Sequence, residues 1–262
     1  MQRPVARVTP YELILEPLEA SAFPAIRDEA ERRGTDARRR DQFLMLGSVG
    51  GTLQDIAADD APAEAIDEYA ELVFQGYQFW TFGRRLYVLD GEVTDELLAP
   101  ELSMAGWQLA APPACYLQFP HQRIWARLSA EAPFEPVDGC FVFVDETEPA
   151  PESGAHLRAL LLLGVRDDRP GLSLVSYRTD LHPSSAPAHA EKPWRADGVA
   201  FANVIPGGER MRYRTITTTS ELEALVLRVL WYLDTSSRAL SAQPSTGAPG
   251  ETHLPHTLVR RV

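Results

Sequence analysis

Residues Ala114–Glu146 read ACYLQFPHQRIWARLSAEAPFEPVDGCFVFVDE. Three short apolar runs stand in this stretch, Cys115–Phe119, Ile124–Leu128 and Cys140–Val144, broken by Pro120, Pro133, Pro136 and the Asp138-Gly139 pair. Runs of about five residues rich in Val, Phe, Tyr, Trp and Ile and bounded by Pro and Gly read as strands of an antiparallel sheet. Aromatic and β-branched side chains pack well on a pleated surface, whereas Pro and Gly interrupt its ladder. This sheet is the expected scaffold.

Downstream, Leu157–Val165 and Leu172–Tyr177 flank Arg166-Asp167-Asp168-Arg169-Pro170-Gly171, where Pro and Gly supply the φ values of a tight hairpin turn. Thr179–Trp194, with Pro183, Pro187 and Pro193, reads as a surface loop. A second hairpin is expected from Val199–Ile205, Pro206-Gly207-Gly208 and Met211–Thr217. Leu222, Leu225, Val226, Val229, Leu230 and Leu233 then recur at helical spacing and predict a closing helix, Ser220–Asp234. From Ser236 to Val262 no periodicity remains, so residues 236–262 are expected to be a flexible tail. Its last apolar and basic residues, Leu254, Leu258, Val259, Arg260, Arg261 and Val262, read as a plain solvated terminus, with docking on another subunit or on the acidic N-terminal helices as the alternative.

Upstream the pattern is helical. One helix is predicted from Pro24 to Arg33, stopping at Gly34, and a second after Thr35 with Phe43, Leu44 and Leu46 on its apolar face. Gly47-Ser48-Val49-Gly50-Gly51 carries neither GxGxxG nor Gly-Lys-Ser, so it reads as a helix break rather than a phosphate loop. A long helix starts at Pro62 and places Ile66, Tyr69, Ala70, Val73, Phe74 and Tyr77 on one buried face. It runs into Phe79–Gly83, then Arg84-Arg85 and a strand, Leu86–Leu89. Asp90-Gly91 reads as a turn and Asp95–Leu98 as one more helical turn.

Together these elements predict an α+β fold with a predominantly antiparallel sheet of about six to eight strands. Residues 1–235 form one domain: a helical part at 1–100, the sheet at 101–218 and the closing helix at 219–235.

At 262 residues, 45% apolar and 24% charged, the composition is that of a soluble globular protein. The longest apolar stretch, Leu157–Val165 with one arginine in it, is of strand length, far short of the ~20 residues that cross a bilayer. No secretory leader is expected, because Glu12 and Glu16 flank the only early apolar run; the expected location is cytoplasmic. The net charge is −12, and residues 1–100 carry 10 arginines against 19 acidic residues. Such a field disfavours nucleic acid and anionic membrane as partners. Lys192 is the only lysine, and the two cysteines, Cys115 and Cys140, fall inside predicted strands as small buried hydrophobes.

No catalytic motif is evident. The six histidines (121, 156, 182, 189, 253 and 256) form no HExxH, the cysteines have no zinc-ligand spacing, and no GxSxG occurs. No cofactor or metal is expected. Asp138, Asp145, Glu146, Asp167, Asp168 and Asp180 lie at predicted strand ends, where converging carboxylates would support a metal-dependent hydrolase as the alternative reading. The preferred reading is a non-catalytic module that binds a protein partner or self-associates. Its candidate contact residues are Trp80, Arg84, Arg85, His121, Arg123 and Trp125, because Trp and Arg dominate binding hot spots and the alternation of Arg123, Trp125 and Arg127 is not that of a buried strand face.

Overall fold

The computed structural model describes residues 7–56, 63–97, 114–120, 123–126, 135–145, 156–163, 174–180, 214–216, 219–235, 240–243 and 254–259. The chain enters through one π-helical turn, Tyr11–Leu15, and a 3-10 turn, Glu16–Ala20. Helices α1 (Ala22–Arg33), α2 (Arg40–Leu44), α3 (Gly47–Ile56) and α4 (Ala63–Thr81) follow. After β1 (Leu86–Leu89) and α5 (Gly91–Leu97) come strands β2 (Ala114–Gln118), β3 (Ile124–Ala126), β4 (Glu135–Asp145), β5 (His156–Leu163), β6 (Leu174–Asp180) and β7 (Arg214–Ile216). Helix α6 (Thr219–Thr235) and strands β8 (Leu240–Gln243) and β9 (His256–Val259) end the described chain. No described helix is long and apolar enough to cross a membrane.

The fold is α+β, and its sheet is mixed. The strands run in the order β6-β5-β4-β2-β1-β9-β8. The β2–β4, β4–β5 and β5–β6 pairs are antiparallel, as expected, and so is the β8–β9 pair, which was not. β1, however, runs parallel to both of its neighbours, β2 and β9. β3 joins β4 antiparallel at Trp125↔Pro136 and β7 parallel at Trp125↔Thr215. Parallel neighbours need a long crossover, which the segment holding α5 supplies between β1 and β2. The remainder of the second expected hairpin, the Arg166–Gly171 turn and residues 181–194 lie outside the described residues.

Four sequence expectations are corrected. Residues 236–262 do not lack structure throughout: β8 and β9 form an antiparallel pair, and β9 lies against β1 from Leu86↔His256 to Leu89↔Val259. A four-residue strand is too short to show in the windows of ~11–18 residues over which periodicity is read. Gly47–Gly51 opens α3 instead of breaking a helix. Asp90 caps α5 rather than forming a turn, its carboxylate accepting the Glu92 amide at 2.8 Å. Pro136 and the Asp138-Gly139 pair do not divide β4, because a register shift between Val137 and Gly139 absorbs them as a bulge in an eleven-residue strand.

Helix α4 lies over β2, β4, β5 and β6. Residues Glu71–Phe79 are all buried, so its middle is enclosed on every side, whereas Ile66, expected on the buried face, is 42% exposed. Phe74 meets Phe143 and Phe79 meets Phe141, with ring centroids 5.6 and 5.5 Å apart. Tyr11 adds an edge contact to Phe79 at 4.8 Å. The entry segment comes this close because α4 carries Gly76, where a Cβ would fall 2.4 Å from Leu15 Cδ1. On the other face of the sheet Cys115, Leu117, Cys140 and Val142 are also buried, so β2 is covered on both sides. α6 packs against α5 and β7 with Leu225 and Val229 fully buried, and the buried Arg228 donates to the Leu97 carbonyl at 2.9 Å.

Candidate functional site

Of the expected contact residues, Trp80, Arg84 and Arg85 lie where the chain enters β1 and Arg123 lies beyond its other end, near Gly91. Trp80, Arg84 and Arg85 cluster where α4 turns into the strand. Helix α4 ends through Gly83 at φ 88° and Arg84 at φ 55°, with the Arg84 amide reaching back to the Phe79 carbonyl at 2.8 Å. A left-handed arginine is strained by about 1 kcal/mol or more. Its guanidinium is held in return: Nη1 donates to both oxygens of Glu19 at 3.2 and 3.0 Å. Glu19 also accepts the Tyr11 hydroxyl, and burial together with that carboxylate raises the Tyr11 pKa well above its ordinary value.

Trp80 is half-buried, 5.6 Å from the Phe23 ring and 5.9 Å from Tyr77. The Arg27 guanidinium lies over its indole at 5.5 Å, so the cation stacked on Trp80 is Arg27 and not Arg84. Arg85 is exposed and its side chain lies toward Tyr87, whereas Phe82 is half-buried and packs on Phe143 at 6.2 Å. The surface at this end is therefore the stacked pair of Trp80 and Arg27.

At the other end of β1, Arg123 donates to Asp95 on α5 at 3.4 Å, and its Nη2 lies 3.3 Å from where a Cβ on Gly91 would stand. Trp125 is half-buried on β3. His121 lies outside the described residues.

A second constellation forms at the C-terminal end of β2. The bulge turns Asp138 inward, and Gly139 is obligatory there: a Cβ would fall 2.3 Å from the Leu117 carbonyl and 2.6 Å from the Tyr116 hydroxyl. That hydroxyl donates to Asp138 Oδ2 at 2.8 Å, and Arg7 Nη2 donates to Oδ1 at 2.6 Å and to the Phe119 carbonyl at 3.0 Å. The Gln118 carboxamide takes the Arg7 backbone, accepting its amide at 3.0 Å and donating to its carbonyl at 2.9 Å. Burial and then the Asp138 charge raise the Tyr116 pKa far above the ordinary phenol range, which keeps it a donor. Of these residues the sequence reading singled out Asp138 alone. The remaining signal was Gln118, a polar residue inside the apolar run ACYLQF.

The glycine run has its own anion. Glu29 Oε1 accepts the Gly47 amide at 3.1 Å and Oε2 the Ser48 amide at 2.8 Å, so a carboxylate of the chain fills the N-terminus of α3. Hydrogen bonding from Ser48, then from Gly47, with Arg33 adding its charge, pulls the Glu29 pKa from 4.5 to about 2. Burial pushes the Cys115 thiol up to about 12, which leaves it an unreactive core residue. Among the described residues no three His, Cys, Asp or Glu side chains come together as metal ligands. Of the strand-end carboxylates, Asp138 is engaged through both oxygens by Arg7 and Tyr116.

No protein family and no curated protein matches the chain. Among solved structures it is similar to AcrVA2, with a TM-score of 0.43 and 11% sequence identity over 93% of this chain and 79% of that one. Similarity at that level transfers neither a fold nor an activity.

Proposed function

We propose that the chain is a non-catalytic binding module that works in a complex with another protein and contacts it at the α4–β1 corner. The observation that carries this reading is the half-exposed Trp80 with the Arg27 guanidinium stacked on it. A stacked Trp–Arg pair presents a rigid apolar plate rimmed by positive charge, the composition of a binding hot spot. Arg27 also pairs with Asp28 at 3.5 Å, so the plate carries both signs of charge at its rim and favours a partner with an apolar contact edged by polar groups.

The experiment is recovery of the complex from source cells with tagged wild-type chain and with the double variant Trp80→Ala, Arg27→Glu. The reading expects a protein recovered in fixed proportion with wild type and lost from the variant, both melting cooperatively. Equal recovery with both chains contradicts the contact surface.

A further inference from the structure

We draw no further inference here: the strongest candidate, the buried Glu71, Gln75 and Gln78 stripe of α4, in which the Gln75 and Gln78 carboxamide oxygens accept no hydrogen bond, carries nothing because nothing among the described residues shows what donor group would reach them.

Discussion

Gln118 stands in for a strand. Its side-chain carboxamide accepts the Arg7 amide at 3.0 Å and donates to the Arg7 carbonyl at 2.9 Å, so a side chain adds strand-like bonds to the backbone bridge at Arg7. Gln118→Ala leaves both backbone groups of Arg7 without these partners, and a buried group so stranded costs about 1–3 kcal/mol. Urea unfolding is expected to show a loss of about 2 kcal/mol. A loss under about 0.5 kcal/mol would show that the guanidinium contacts and the backbone bridge hold Arg7 without Gln118.

The strain at Arg84 separates two substitutions that would otherwise look alike. Both Arg84→Gly and Arg84→Ala remove the ion pair to Glu19, but only glycine adopts φ 55° without penalty. Arg84→Ala is therefore expected to be less stable than Arg84→Gly by about 1 kcal/mol in chemical denaturation. The opposite order would mean that the backbone relaxes at this corner.

Residues β8 and β9 belong to the sheet, and Leu254, Leu258 and Val259 are 3%, 4% and 1% exposed. Truncation after Asp234 uncovers one whole edge of β1, including the partner of the Asp90 amide, which bonds the Val259 carbonyl at 2.9 Å. An exposed interior strand is an aggregation template. The shortened chain is expected to melt lower and to aggregate on heating, and the point variant Leu258→Ala to lose about 2–4 kcal/mol. A truncated chain that melts like the full-length one contradicts the β1–β9 pairing.

Glu29 makes stability depend on acid. Its folded pKa of about 2 lies below the ordinary 4.5, so the unfolded chain binds the proton first as pH falls. The stabilisation is complete above about pH 4.5 and is lost as pH falls toward 2. Glu29→Gln removes this group's share, and its stability curve is expected to fall less steeply over that interval than that of wild type. Identical slopes would mean that the carboxylate does not cap α3.

Much of this architecture is legible from residue pattern, and the reasons for the gaps are physical. The α4 stripe of Val73, Phe74 and Tyr77, the stop at Gly34 (φ 66°) and the α6 stripe of Leu225 and Val229 each follow from local spacing or from one backbone preference. The parallel placement of β1 does not, because its neighbours, β2 and β9, come from residues 114–118 and 256–259 and nothing in LYVL encodes them. The reading of Asp138-Gly139 as a break failed because a bulge and a turn use the same residues. Gln118 and Arg7 lie 111 positions apart, so their contact is invisible until the sheet is assembled. The Trp80 surface is half-legible: aromatic and arginine content mark it, but its stacking partner, Arg27, comes from a different helix.

The central claim, that the α4–β1 corner contacts a protein partner, is tested most directly by site-specific photo-crosslinking in source cells. A photoreactive phenylalanine analogue is placed at exposed Thr81, and in a separate chain at exposed Gln54 on α3 as the control. The prediction is one discrete adduct to a second protein from position 81 and none from position 54, with the adduct lost when Trp80→Ala is added. No adduct at 81, or the same adducts from both positions, would contradict the claim.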